Sequence, residues 1–279
     1  MYIFQVRKLL AVLGLINSEN WDVNSNKIIY IALISKSNIC DSNVSFKFLS
    51  FIYNELKPDF LGCVGFNEKV NKIFNKIGHC SKLEHFYILN RSIMPKITKK
   101  LQSSNFKKNE NLEMKIQYRV KSLPKSKYFP KKSVKYFNNK YSKNPFYKYF
   151  YLNFYYKKKL IFFFVARKIK VNKYKSLLFR VVDFYGNLKE NINIANKLNK
   201  FLMKNKAEYI DFLNYGINSN LLLSIGFKKK NKNQLIPNYF EPFIMKNENI
   251  DISILRSKFN HEKINIFKGD GDQDRPNKI

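Results

Sequence analysis

Apolar residues at Val44, Phe48, Phe51 and Ile52 follow the i, i+4, i+7, i+8 spacing of one helix face. The same stripe returns far downstream at Ile194, Leu198, Phe201 and Leu202. Each helix leads through a turn into a short apolar run, residues 60–66 and then 209–213, with the length and bounding of a buried strand. Both runs end in a polar turn carrying asparagine, Asn67 and Asn214. A shorter helix pattern follows each, Ile73, Phe74 and Ile77 before Gly78, and Leu221, Leu222 and Ile225 before Gly226. Glycine just past the last periodic residue is a helix stop. Further strands are expected at 85–89 and 239–243, and upstream at 8–16 and 28–34, then 159–169 and 177–184.

The order strand, helix, strand, helix, strand therefore occurs twice. The copies lie about 150 residues apart, too far for a solenoid period. The pattern predicts an α/β (α+β) protein with two domains, each a mixed central sheet flanked by helices. The boundaries read as 1–90 for a first domain, 91–140 for a Lys-rich connector and 141–279 for a second domain with an acidic tail. Within the connector, 116–121 reads as a short strand and 122–144 as irregular.

Composition narrows the class. With 45% hydrophobic and 16% aromatic residues among 279, the chain is too apolar for a disordered basic tail. Its most apolar run, residues 160–166, is far short of the roughly 20 residues of a membrane-spanning helix. The start, MYIFQVRKLL, has no secretion-signal core, so a cytoplasmic setting is expected. The net charge is +32, but of the 52 basic residues 45 are lysine and only 7 are arginine, the residue that bidentate phosphate recognition favours. Lys, Asn, Ile, Phe and Tyr abound while Gly and Pro are scarce, which is the mark of a compositional drift more than of a nucleic-acid partner. Residues 91–180 carry 26 basic and 2 acidic side chains, a net +24, so most of the excess lies in the connector and the start of the second copy.

Cys40, Cys63 and Cys80 are odd in number and lack C-x-x-C spacing, which suggests reduced thiols. Cys63, His79, Cys80 and His85 match no common zinc pattern, and no metal is expected.

The late helices ending in Ile77-Gly78 and Ile225-Gly226-Phe227 resemble the GNAT N-acyltransferase family. The wider resemblance is to tandem GNAT-like proteins of bacterial surface-polysaccharide biosynthesis. It is carried mostly by the second half: Lys143-Asn-Pro-Phe-Tyr-Lys-Tyr149, Arg180-Val-Val-Asp-Phe-Tyr-Gly186, Tyr209-Ile-Asp-Phe-Leu-Asn-Tyr-Gly216, Ile236-Pro-Asn-Tyr-Phe-Glu-Pro-Phe243, and the tail Phe267-Lys-Gly-Asp-Gly-Asp-Gln-Asp-Arg-Pro-Asn277.

The resemblance implies a cytoplasmic N-acyltransferase that uses acyl-CoA and an amino-sugar or sugar-nucleotide acceptor, with no metal. It also implies that the first copy is N-terminally truncated, since the chain opens almost directly on what would be the family's second strand. Acyl-CoA would lie where two central strands part, its pyrophosphate over a helix N-terminus. The matching loops are 41–47, with Asn43 and Ser45 where the family usually has glycines, and 185–191, with Tyr185, Gly186, Asn187 and Lys189. The second is the better cofactor loop, and the second copy is the expected active lobe. The family's thiolate-protonating tyrosine is replaced by Phe74 and Leu222, leaving Tyr215 as a substitute. Asp183, Asp211, Glu241 and His261 are candidates for handling the amine proton. Asn214, Tyr239, Asp270, Asp272, Asp274 and Arg275 are candidates for gripping the acceptor. Two other readings stand beside this one: an aminoacyl-tRNA-dependent ligase with paired GNAT domains, whose basic connector tracks RNA, and a non-catalytic degenerate binding protein.

Overall fold

The first repeat of apolar runs and helical stripes builds β1 (Tyr2–Gln5), β2 (Lys8–Asn17), β3 (Ile28–Lys36), α1 (Val44–Phe51), β4 (Phe60–Val64), α2 (Glu68–Ile77), β5 (His79–Lys82) and β6 (Glu84–Leu89). The second builds β7 (Leu112–Gln117), α3 (Val134–Phe137), β8 (Tyr149–Tyr156), β9 (Lys159–Val171), β10 (Ser176–Gly186), α4 (Ala195–Lys204), β11 (Tyr209–Tyr215), α5 (Ser219–Ser224), β12 (Lys228–Lys229), β13 (Asp251–Ser257) and β14 (Ile266–Phe267). A computed structural model describes residues 2–5, 8–39, 41, 43–98, 111–190, 192–238 and 247–274. The expected strand at 239–243 lies outside them.

Local chemistry explains the short helices. The Asn67 side chain accepts from the Val70 N–H (3.0 Å) at the start of α2, and Asn218 accepts from Asn220 (2.8 Å) and Leu221 (3.3 Å) at the start of α5. Gly226 then takes φ +108°, a left-handed value that only glycine adopts freely, with Ala195 packed where a Cβ would go.

The architecture is α/β, with two mixed sheets flanked by helices. One sheet runs β1-β2-β3-β4-β13-β5 and the other β12-β6-β11-β10-β9-β8-β7, with β14 beside β11. Each holds one parallel pair, β3 with β4 and β10 with β11; the other neighbours are antiparallel.

The strand expected to close the first copy does not do so. β6 belongs to the second sheet, where Phe86 faces Phe212, while β13 enters the first sheet between β4 and β5, Ser253 lying opposite both Cys63 and Cys80. The composition of the strands accounts for this. β6 carries apolar residues on both faces after Glu84 and His85 and is buried almost throughout, which suits an interior position. β5, His-Cys-Ser-Lys, is polar and sits at a sheet edge. Only Leu83 separates the two, so the chain steps from one sheet to the other in a single residue. The two sheets therefore do not divide the chain at one point.

Helices α1 and α2 cover one face of the first sheet through Val44, Phe48, Leu49 and Phe74. Helices α4 and α5 cover one face of the second, burying Leu198, Leu202 and Leu222 against Phe162, Phe164 and Val181. The segment expected to be irregular instead roofs the second sheet's other face. Ser133 caps α3 by accepting from the Tyr136 N–H (2.9 Å), and Tyr136, Phe137 and Tyr141 pack on Tyr151, Phe163 and Val165. The aromatics of this Lys-rich stretch outweigh its charge once a sheet face is available. The expected strand at 116–121 forms slightly earlier, as β7. Between the sheets, Tyr30, Phe60 and Ile252 meet Leu213, Ile264 and Ile266.

Candidate functional site: two strand openings joined by a buried tail

In the first sheet β3 and β4 are matched from Ile28 with Phe60 to Ile31 with Cys63. Beyond that β3 continues to Lys36 paired with β2 but no longer with β4, with Leu33 51% exposed. In the second sheet β10 and β11 are matched over Phe179–Ile210, Arg180–Asp211 and Val181–Phe212. There the opening is filled by the chain itself. β14 pairs with β11, Phe267 opposite Asn214 and Ile266 opposite Tyr215, and the Gly269 N–H donates to the Val182 carbonyl (2.8 Å). Gly269 is required by that fit, since a Cβ would come within 2.7 Å of both the Val182 oxygen and the Tyr141 hydroxyl.

The tail then crosses to the first sheet. Gly271 lies against Val64, and the Gln273 side chain lies over Gly65. Asp272, half-buried, stands near Cys63, whose thiol is pushed up to about 12 by burial and then by the Asp272 charge. One segment thus fills the second opening and reaches the first.

The two loops preceding α1 and α4 differ in the same sense. In the first copy Asn43 and Asp41 are exposed and Ser45 is half-buried; Ser42 lies outside the described residues. Asp41 accepts from the Asn43 N–H (2.9 Å), and the Asn43 side chain makes no cap bond. In the second copy the expected cofactor residues are tied to their own chain. Asn187 donates to the Lys125 carbonyl (2.9 Å) and accepts from the Lys127 N–H (3.0 Å). Tyr185 packs on Phe137 and Phe163, the Lys189 ammonium lies 5.9 Å from the centre of the Tyr156 ring, and a Cβ on Gly186 would strike the Ile161 carbonyl. At the start of α4 the Ile194 N–H donates to Ile225 (2.8 Å) and the Ala195 N–H to the Asn193 side chain (3.1 Å). Two of the donors that an anion would need there are already partnered.

Asp183 and Asp211 are both fully buried, and neither is a solvent-facing strand residue. A bulge between Val181 and Asp183 turns Asp183 to the face roofed by α3. There both its oxygens accept from Lys132 (2.8 Å each), and Tyr141 donates to Oδ2 (2.7 Å). Lys132 also donates to Asp270 (2.7 Å), which fastens the tail. Burial lowers the Lys132 ammonium, but the two carboxylates outweigh it and hold Lys132 above its ordinary value; burial lifts Asp183 against the pull of Lys132.

Asp211 sits opposite Arg180 in the parallel ladder and takes Nε (2.9 Å) and a terminal nitrogen (2.6 Å) of its guanidinium, plus His85 Nε2 (2.9 Å). Burial raises its carboxyl, but Arg180 and His85 overcome that and hold it well below the usual range, so Asp211 is no proton acceptor near neutral pH. An ionised Asp211 only accepts, so His85 Nε2 carries the proton and Nδ1 is bare, with no partner among the described residues. Asp274 closes a third cluster, accepting from Tyr149 (2.6 Å) and from Arg167 Nε (2.9 Å) and a terminal nitrogen (2.8 Å). The acceptor-gripping role expected of Asp270 and Asp274 therefore competes with their anchoring of the tail.

Tyr215 meets His79 across the sheets at 3.2 Å, and its hydroxyl is raised by burial. Asn214 is wholly buried, and neither amide atom has a partner among the described residues. His261 is exposed in a short turn. Tyr239, Glu241 and Arg275 lie outside the described residues. Sequence reasoning missed Lys132, Arg180, His85 and Tyr141. Arg180 alone had a signal, as one of few arginines and set inside an apolar strand. Among the described residues no three His, Cys, Asp or Glu side chains are grouped to hold a metal, and no helix is long and apolar enough to cross a membrane.

No protein-family profile and no curated protein matches the chain. Solved structures with a similar chain path include a GCN5-related N-acetyltransferase from Anabaena variabilis (9% identity, TM-score 0.48, covering 91% of this chain and 62% of that one). A probable N-acyltransferase from Enterococcus faecalis is similar at 11% identity and TM-score 0.47, covering 90% and 61%. Saccharomyces cerevisiae N-myristoyltransferase with bound myristoyl-CoA is similar at 11% and 0.41, covering 92% and 67%. The chain thus spans about three-fifths of the length of the first two.

Proposed function

We propose that the protein is an acyl-CoA-dependent N-acyltransferase acting on an amino-sugar or sugar-nucleotide intermediate of surface-polysaccharide biosynthesis. The observation that carries this reading is the duplicated parallel pair, β3–β4 and β10–β11, each bonded over a few residues and each leading through a loop into a helix. Past their last pairing, strands of this kind offer backbone donors and acceptors to an extended, amide-bearing chain such as pantetheine. The second opening spends those groups on β14 and Gly269. We therefore place the donor between β3 and β4, in place of the 185–191 loop.

In this reading the acceptor nitrogen attacks the thioester carbonyl. The C–N bond forms, the C–S bond breaks, the amine proton passes to a base and the thiolate takes a proton. Asp272, at the mouth of the first opening, is the candidate for holding the amine. Asp183 and Asp211 position the tail and the parallel strands around it.

Calorimetric titration with acetyl-CoA tests the placement. Saturable binding should be lost in Leu33→Trp, which fills the first opening from an exposed position, and kept in Asn187→Ala. The reverse pattern would return the donor to the second loop. The tail-filled second opening favours one alternative, a non-catalytic binding protein. That alternative predicts no acetyl-CoA binding and no thiol release with an amino-sugar acceptor.

A further inference from the structure

A cavity of about 150 Å³ opens on the second sheet, lined by side chains of β7, β8, β9 and the segment after β7. Gln117, Lys121, Ser122, Asn153, Tyr155 and Leu160 contribute to its wall. None of them belongs to the strand openings or to the tail's ion pairs. Asn153 is 4% exposed in the middle of the aromatic strand β8, where a polar amide is costly unless partnered.

Asn153 Nδ2 donates to the side-chain oxygen of Gln117 (2.9 Å), and this is the one side-chain hydrogen bond seen for either amide among the described residues. This pair presents one acceptor and one donor side by side. Neighbouring hydroxyls on a ring, each able to give and to take a hydrogen bond, are their complement. The Ser122 hydroxyl and the Tyr155 phenol add two more such groups, and Leu160 with the Tyr155 ring gives an apolar wall for C–H bonds. A cavity of this size takes a single six-membered ring. No carboxylate lines it, while Lys121 does. An ammonium group is therefore disfavoured there.

We propose that this cavity is a saccharide subsite for one uncharged hexopyranose ring. The assignment is independent of the acyl-transfer reading, and its test involves no acyl donor. Saturation-transfer NMR on the full chain at neutral pH, with N-acetylglucosamine, glucosamine and adenosine as separate probes, decides it. The ring protons of N-acetylglucosamine should receive saturation from the protein, with glucosamine several-fold weaker and adenosine silent. Ser122→Trp, which fills the cavity from an exposed position, should abolish the transfer. Gln117→Leu, which removes the ring's donor without opening the core, should weaken binding about tenfold. Three results would each overturn the proposal: no transfer to N-acetylglucosamine from the folded chain, transfer unchanged in both variants, or a preference for adenosine.

Discussion

The buried carboxylates of Asp183, Asp211 and Asp274 are each neutralised in a small closed group, and such groups carry a stability signature. His85 is the clearest case. Burial lowers its imidazole to about 4, with Asp211 pulling the other way, so it is neutral in the folded chain at neutral pH. A base whose folded value is depressed contributes stability above its unfolded value and loses it as pH falls. Stability should therefore decline between about pH 6.5 and 4, by roughly 3 kcal/mol from this residue. In His85→Asn, urea denaturation across that window should show a shallower decline than in the parent; parallel curves would assign the loss to other groups. The carboxylates were legible in the sequence, because Asp183 and Asp211 interrupt apolar runs and must be either buried with a partner or exposed. Their partners were not legible. Lys132 is one of 45 lysines and lies 51 residues from Asp183, and only the packing of α3 on the sheet singles it out.

At the level of elements, helices α1, α2, α4 and α5 and strands β2, β3, β4, β6, β9, β10 and β11 follow from apolar spacing within about two residues, since an amphipathic stripe and a bounded apolar run are local properties, whereas α3 and β8 do not. What spacing does not encode is the sheet that a strand joins. β6 reads as an ordinary strand while β13 is not anticipated by the spacing at all, and their exchange depends on partners far away in the chain. By composition the tail is polar and acidic. Its function as a strand-like filler is carried by two short pairings and by Gly269, whose small size the surrounding atoms require. Gly269→Val should destabilise the protein by about 2 kcal/mol or more, because neither the Val182 carbonyl nor the anchored Tyr141 can give way. Thermal unfolding would measure this. An unchanged midpoint would mean that the tail is not held in the second opening.

For the molecule as a whole, the repeat is visible in the sequence but the linkage between its halves is not. Each sheet contains a strand from the other half, so neither half completes its own hydrogen-bonded ladder. Residues 1–90 alone leave β4 without β13 on one side, and residues 91–279 alone leave β11 without β6. Fragments cut at residue 90 should each lack a cooperative unfolding transition, and they should co-purify when made together. Independent folding of either fragment, seen as dispersed amide resonances, would contradict the exchange.

The same exchange bears on how the chain is made. β4 ends at Val64, while its neighbour β13 ends at Ser257. At about 5–20 residues per second, a ribosome needs roughly 10–40 s to supply the missing strand. During that time the first sheet presents a bare, apolar edge, the kind of surface that pairs with other chains. Yield in cells should therefore depend on translation speed and on holdase supply more than the stability of the finished fold suggests. The late arrival of one seven-residue strand makes the birth of this protein a contest between completion and capture.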